Sequence, residues 1–75
     1  MNGQVKNIMK AKIGVWDRVI VPAEITGMGE DIYGKVIEEE TISEKYVLMN
    51  VRYDKPDFYG YWGNAVYEHQ LIKIS

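Results

Sequence analysis

Alternating positions between residues 46 and 53 predict the central strand of the fold. One side of this segment is apolar: Val47, Met49, Val51 and Tyr53. The other side is partly polar: Leu48, Asn50 and Arg52. A period of two residues is typical of a strand with one buried face. Asp54, Pro56 and Asp57 favour a bend directly afterwards, so we expect this strand to pair with its successor as a hairpin.

Further segments complete an all-β prediction. Residues 16–21 are rich in β-branched side chains, and Pro22 lacks the donor that a longer ladder would need. Strands are also predicted over residues 32–38, 58–67 and 71–74, with an exposed glycine-bearing loop over 23–31 and one turn of 3₁₀ helix over 68–70. Residues 1–13 are polar and only loosely periodic, so we expect a basic N-terminal arm that is flexible or partly helical.

Four short segments carry a resemblance to known folds. They are Gly14-Val-Trp-Asp-Arg-Val-Ile-Val, Tyr33-Gly-Lys-Val-Ile, Val51-Arg-Tyr-Asp and Glu68-His-Gln-Leu-Ile-Lys-Ile. Their cadence resembles that of KOW, Tudor and related SH3-like barrels. The resemblance implies a five-stranded SH3-like barrel over residues 14–75. Such barrels serve many purposes, so the resemblance leaves the partner open.

Charge is distributed unevenly along the chain. The formal net charge is -2, yet residues 1–15 carry three lysines and no acid, whereas residues 16–75 carry six basic and eleven acidic residues. An acidic body repels phosphate, which makes duplex nucleic acid a less natural partner. The chain has no cysteine, as suits a reducing cytoplasm, and no apolar run near the roughly 20 residues of a membrane helix. We therefore expect a small acidic cytoplasmic protein with no membrane partner.

Groups for catalysis are sparse. With one histidine and no cysteine, the chain lacks an evident nucleophile and base, and His69 beside Glu68 is interpreted as a surface or half-buried residue that ends a turn. Gly27-Met28-Gly29 lacks the further glycine and lysine of a phosphate-binding loop. Three successive glutamates, Glu38 to Glu40, point to alternate faces and indicate a solvated strand end. We predict no enzyme, catalytic residue, metal, cofactor or small-molecule substrate.

Aromatic residues are concentrated near the predicted second hairpin. Six fall within residues 53–67: Tyr53, Phe58, Tyr59, Tyr61, Trp62 and Tyr67. A small barrel has too little interior for all of them. We expect Tyr53, Tyr61 and Tyr67 to fill the core, with Trp16 as the candidate core tryptophan, and Phe58, Tyr59 and Trp62 to be exposed.

An exposed aromatic patch beside a cation favours a protein-binding module. The predicted partner-binding residues are Arg52, Tyr53, Phe58, Tyr59 and Trp62. The alternative is a nucleic-acid-associated protein, with Lys6, Lys10 and Lys12 on phosphate and the aromatic rings on bases. Two further hypotheses are an aromatic cage for a methylated cation and an acidic mimic of nucleic acid formed by Glu24, Glu30, Asp31, Glu38, Glu39 and Glu40. A homodimer through an exposed edge strand is also compatible with the sequence.

Overall fold

A computed structural model describes residues 12–74 and shows five antiparallel strands in one sheet. The strands are β1 (Arg18–Val21), β2 (Ile32–Thr41), β3 (Val47–Tyr53), β4 (Gly63–Tyr67) and β5 (Ile72–Lys73). Their order across the sheet is β4-β3-β2-β1-β5. This confirms the mostly β architecture, the hairpin of β3 with β4, and the 3₁₀ turn, which spans Glu68–Gln70.

The loop between β1 and β2 contains one turn of helix, α1 (Ala23–Thr26), where the sequence predicted an exposed loop throughout. Gly27 ends α1 in the left-handed region, with φ of 74°. Thr26 is fully buried. Its hydroxyl lies 3.3 Å from the Ala23 carbonyl oxygen and accepts the Met28 N–H at 3.3 Å. These bonds satisfy the buried hydroxyl and make this connection a fixed support for its neighbours.

The core lies against one face of the sheet. Its main members are Val19, Val21, Ile32, Val36, Met49, Val51, Tyr53 and Val66, with Ile13 and Leu71. Within β3, Met49, Val51 and Tyr53 are buried and Asn50 and Arg52 are exposed, which confirms the predicted alternation. The opposite face, called the outer face below, carries Tyr33, Lys35, Asn50, Arg52, Ala65 and Tyr67.

Two glycines let neighbouring strands approach β3 closely. A Cβ atom on Gly34 would lie 2.6 Å from the Arg52 carbonyl oxygen, and one on Gly63 would lie 2.6 Å from the Val51 carbonyl oxygen. No real side chain tolerates such a separation, so only glycine fits at both places. The two contacts flank the same short stretch of β3 and bring β2 and β4 tightly around it.

The prediction of a closed barrel is wrong for the described residues. β4 and β5 lie at opposite edges of the sheet, and β5 pairs with β1 over two positions only. The free edge of β4 is also occupied locally. The Tyr53 N–H bonds to the Trp62 carbonyl, so alternate donors from Gly63 onward point away from β3. Of these, Ala65 N–H donates to Asn64 Oδ1 at 2.8 Å and Tyr67 N–H to Gln70 Oε1 at 3.2 Å.

β4 begins later than the sequence predicted, and the face of the strand that is buried is the opposite one. It starts at Gly63 rather than near residue 58, because residues 57–61 close a turn on themselves. Val66 pairs with Met49 and is 2% exposed, so its face of β4 enters the core. Tyr67 therefore lies on the outer face at 38% exposure, and Tyr61 precedes the strand at 65% exposure. The expectation that Tyr61 and Tyr67 fill the core is wrong.

Trp16 is not the core tryptophan either. The Asp17 N–H donates to the Gly14 carbonyl at 3.1 Å, and Trp16 has φ of 79° at the third position of this turn. That geometry is a type II turn, whose third position favours glycine. Trp16 N–H and Asp17 C=O both bond to Val36, so two residues face one in a β-bulge. The turn places Trp16 before the start of β1 and leaves its side chain 67% exposed.

Candidate functional site: an aromatic loop and its groove

Four exposed aromatic side chains project from the connection between β3 and β4. Phe58, Tyr59, Tyr61 and Trp62 are between 59% and 70% exposed. They surround Gly60, whose φ of 89° closes the bend. We call residues 58–62 the aromatic loop. The exposure predicted for Phe58, Tyr59 and Trp62 is confirmed, and Tyr61 joins them.

Asp57 holds the aromatic loop in shape. Its carboxylate Oδ1 accepts the N–H groups of Tyr59 and Tyr61, both at 2.9 Å. Its backbone N–H donates to the Tyr61 carbonyl at 2.8 Å, and its carbonyl accepts the Gly60 N–H at 3.0 Å. Asp57 is only 8% exposed, so these bonds also satisfy a largely buried carboxylate. The rings are therefore displayed from a backbone that is already ordered.

The aromatic loop rests on the connection between β1 and β2. The Phe58 N–H donates to the Thr26 carbonyl at 3.4 Å. A Cβ atom added to Gly27 would lie 3.4 Å from the Tyr59 ring, so that ring packs against the backbone at the end of α1. Lys55 forms an ion pair with Glu30 between the same two connections. Phe58 and Tyr59 contact each other edge to face, with ring centroids 5.2 Å apart.

An open groove of about 510 Å³ adjoins the aromatic loop on the outer face. Its lining includes Ile37, Asn50, Arg52, Trp62, Asn64 and Ala65. Arg52 and Trp62 are both exposed, and the glycine opposite Arg52, Gly63, leaves the floor of the groove free of a side chain. The groove thus combines an aromatic ring, a guanidinium group and side-chain amides.

Charged groups beside the groove differ in how they are compensated. Arg18 binds Asp54 through both terminal nitrogens, at 3.0 and 2.5 Å. The Arg18 hydrogen bonds lower the pKa of Asp54 below its ordinary value, and the charge of Lys35 adds a smaller effect in the same direction. Arg52 makes no ion pair within residues 12–74. Arg52 is therefore a cation that lines the groove without an ion-pair partner among the described residues.

Tyr53 lies beneath the site and not on its surface. The residue is 3% exposed, so its ring does not touch a partner from this position. Its hydroxyl is buried near the Asn64 side chain but makes no hydrogen bond of normal geometry among the described residues. Burial raises the pKa of Tyr53 and the nearby charge of Asp57 adds to the effect, while the Asn64 side chain opposes it. Of the five predicted partner-binding residues, Arg52 and Trp62 line the groove, Phe58 and Tyr59 are exposed on the aromatic loop beside it, and Tyr53 is buried.

A second aromatic cluster, formed by Tyr46, Tyr67 and His69, was missed by sequence reasoning. The three ring centroids lie 5.7 to 5.9 Å apart in every pair, with His69 stacked on Tyr67. The signal that finds it is the hairpin register: Leu48 opposes Tyr67, so Tyr46 falls opposite His69 once the pairing is known. Rings in mutual contact leave no space for a cation among them, which counts against a cage here.

The candidate nucleic-acid residues are only partly within the described chain. Lys6 and Lys10 lie outside residues 12–74. Lys12 is exposed, and its carbonyl accepts a hydrogen bond from Lys73 Nζ at 3.1 Å.

The acidic residues proposed as a mimic fall in two groups at opposite ends of β2, roughly 20 Å apart at the rise of a strand. In the second group, Glu39 opposes buried Met49 while Glu38 opposes outward Asn50, so neighbouring carboxylates face opposite ways. This dispersal counts against the mimic.

Residues 12–74 contain no group of three or more histidine, cysteine, aspartate or glutamate side chains placed to hold a metal ion. Within that range, no helix has the length and apolar character needed to cross a membrane.

Comparison with known proteins adds no family to these observations, since no family model, curated protein or solved structure matches the chain. The functional argument therefore depends on the geometry of the site itself.

Proposed function

We propose that this chain is a non-enzymatic SH3-like domain that binds a protein partner through the aromatic loop and the adjoining groove. The observation that carries the proposal is the group of four exposed aromatic side chains on a loop fixed by Asp57. Phe58, Tyr59, Trp62 and Arg52 would make the contacts. The proposal concerns binding and assigns no chemical step to any residue.

Several features support the SH3-like part of the proposal. The sheet has five strands, a long glycine-bearing connection follows β1, and a 3₁₀ turn precedes β5. The first and last strands also pair with each other. The sheet departs from the barrel that the resemblance implies in remaining open between β4 and β5.

Rigidity makes the aromatic loop suited to binding. A partner that docks on an ordered loop loses less conformational entropy than one that must first order it. Tyrosine, tryptophan and arginine are the side chains that most often dominate the energy of protein interfaces. Loop positions held by a rigid scaffold commonly carry such contacts. All three residue types are present in the aromatic loop or in the lining of the groove.

The exposed edges of β4 and β2 are protected against association, whereas the aromatic loop is not. Side-chain amides occupy two outward donors of β4, and three glutamates line the part of β2 beyond β1. Both devices discourage association through strand edges. They also weigh against a homodimer through β4. The aromatic loop carries no equivalent protection, although its rings are the largest exposed apolar groups beside the groove.

Nucleic acid remains the second candidate because Arg52 lines the groove with Trp62 and has Lys35 as its register partner, a combination suited to a phosphate and a stacked base. The excess of acidic residues in 16–75 opposes it, since that body repels polyanions. A salt-sensitive complex with oligonucleotides would favour this candidate over protein binding.

The test of the proposal compares two double variants. Tyr59→Ala with Trp62→Ala removes two rings of the aromatic loop, while Tyr33→Ala with Ile72→Ala removes exposed apolar side chains from β2 and β5 as a matched control. Each immobilised protein is used to capture proteins from a lysate of its source cell. The captured proteins are identified, and candidates are then purified and titrated against each variant.

We expect a partner that binds the wild type and the control equally, and that binds the aromatic-loop variant at least about tenfold more weakly. Circular dichroism and urea unfolding establish that each variant is folded. A purified partner with equal affinity for all three proteins would show that the aromatic loop is not the docking surface.

A further inference from the structure

Two positive charges occupy opposed positions on the outer face of the sheet. Lys35 of β2 and Arg52 of β3 are register partners, and both side chains are exposed. Like charges at opposed positions disfavour the pairing of two strands. An anion bound beside them would turn this unfavourable arrangement into a favourable one.

Two nearby carboxylates, those of Asp54 and Glu38, each form hydrogen bonds with another side chain. Asp54 is held by Arg18 through two hydrogen bonds. The Glu38 carboxylate accepts the Asn50 side-chain amide at 2.9 Å. Within residues 12–74, the ion pairs are those of Arg18, Lys55 and Lys73, and neither Lys35 nor Arg52 takes part in one. Lys35 is near enough to Asp54 for its charge to add to the lowering of the Asp54 pKa, but neither Lys35 nor Arg52 has a carboxylate at ion-pair distance among the described residues.

The Arg52 guanidinium, which has no ion-pair partner among the described residues, lies beside an apolar surface. Arg52 lines the same groove as Trp62 and Ile37. Two amide side chains, Asn50 and Asn64, complete the polar part of the lining. A ligand that fits this groove therefore needs an anionic group and an apolar group a few ångströms apart.

We propose, building on the proposed function, that the protein partner presents an acidic segment to this groove. A carboxylate of Asp or Glu lies between Arg52 and Lys35, and a neighbouring apolar side chain of the partner packs on Trp62. A carboxylate suits the planar guanidinium of Arg52 because two oxygens match two donors. The two cations suffice for one or two carboxylates, while a polyanion would also meet the repulsion of the acidic body.

The test is a selection of random dodecapeptides displayed on phage, performed with the purified full chain. Four proteins are compared: the wild type, Trp62→Ala, the charge-reversed pair Lys35→Glu with Arg52→Glu, and Lys45→Glu. Lys45 is exposed in the turn between β2 and β3, at the far end of the hairpin, and makes no ion pair among the described residues. It is therefore the matched control for a change of charge alone.

We expect the wild type and Lys45→Glu to enrich peptides with an excess of Asp and Glu next to apolar residues. The charge-reversed pair should instead enrich Lys and Arg. A synthetic peptide from the wild-type selection should bind the charge-reversed protein at least about tenfold more weakly, and replacing its Asp and Glu by Asn and Gln should weaken it similarly.

Other outcomes separate this inference from the proposed function. Peptides that depend on Trp62 but show no acidic excess, and bind the charge-reversed protein equally, would overturn the acidic partner and leave docking through the aromatic loop intact. Enrichment that is unaffected by Trp62→Ala would contradict the proposed function and this inference with it. A twenty-nucleotide oligothymidine provides the last arm. Arg52-dependent binding that weakens steeply between about 50 and 200 mM salt, without acidic peptides in the selection, would assign the site to nucleic acid.

Discussion

The two connections that flank β3 are both exposed, but they are built from different chemistry. The turn before β3, residues 42–46, follows three glutamates and is closed by backbone hydrogen bonds of 2.9 to 3.3 Å between Tyr46 and the residues Ile42 and Ser43. The connection after β3 is closed by the largely buried Asp57 carboxylate and displays four aromatic rings. The first arrangement keeps a strand end soluble. The second arrangement holds apolar side chains exposed to solvent, which favours association with a partner.

This contrast predicts very different costs of substitution. Asp57→Ala removes the acceptor of two backbone N–H groups and should lower the free energy of unfolding by about 2–3 kcal/mol. Ser43→Ala in the turn before β3, where the hydroxyl accepts one long exposed bond from Lys45 N–H, should change it by less than about 0.5 kcal/mol. Urea unfolding followed by tryptophan fluorescence measures both. Similar effects for the two variants would remove the distinction between a supported loop and an ordinary turn.

The support beneath the aromatic loop can be improved. Tyr53→Phe removes a buried hydroxyl that lies near the Asn64 side chain without a hydrogen bond of normal geometry, so we expect up to about 1 kcal/mol of added stability. The raised pKa of Tyr53 gives a second readout. The unfolded tyrosine ionises first, so stability is full below pH 10.0 and falls as pH rises through the higher folded pKa. Tyr53→Phe should lose this alkaline dependence, and a destabilised Phe variant would mean that the hydroxyl is bonded after all.

Trp16 is a further exposed aromatic residue, and its backbone has a conformation that is unfavourable for any residue except glycine. Its φ of 79° suits glycine, so Trp16→Gly relieves that cost while adding some entropy to the unfolded chain. We expect a net gain of about 0.5 kcal/mol. Thermal and urea unfolding of Trp16→Gly beside Trp16→Ala measure it, because alanine removes the ring without relieving the backbone. If Trp16→Gly is less stable than Trp16→Ala, the turn is not strained as described.

The smallest expected effect is that of acid on the ion pair behind the groove. Arg18 lowers the pKa of Asp54 below 3.8, so the folded state binds fewer protons than the unfolded state near that pH. The contribution of the pair is present above about pH 4 and is lost as pH falls through the lower folded pKa. The urea midpoint of the wild type should therefore fall more steeply toward about pH 3 than that of Asp54→Asn. Glu44→Gln, in the exposed turn before β3, is the control and should follow the wild type.

The sequence predicted the parts of the fold that depend on local pattern. The alternation in β3 and the 3₁₀ turn over Glu68–Gln70 follow from neighbouring residues and are confirmed. Exposure of Phe58, Tyr59 and Trp62 followed from the small volume of the core.

The errors arise where a distant contact or a single side chain decides the outcome. The start of β4 depends on Asp57 bonding two and four residues ahead. The placement of Trp16 depends on a bulge opposite Val36. The cluster of Tyr46 with His69 depends on a register that is known only once β3 and β4 are paired. Along the open edge of β4, side-chain amides accept two backbone donors, which a strand pattern does not reveal.

The central claim, that the aromatic loop docks a partner, is tested most directly by nuclear magnetic resonance. The chain has two tryptophans, so the nitrogen-proton spectrum contains two indole signals, which Trp16→Phe assigns. Titration with the most enriched acidic dodecapeptide should shift the signal of Trp62 and the Arg52 side-chain signal while leaving that of Trp16 in place. A shift of the Trp16 indole alone, with Trp62 unchanged at saturating peptide, would contradict the account.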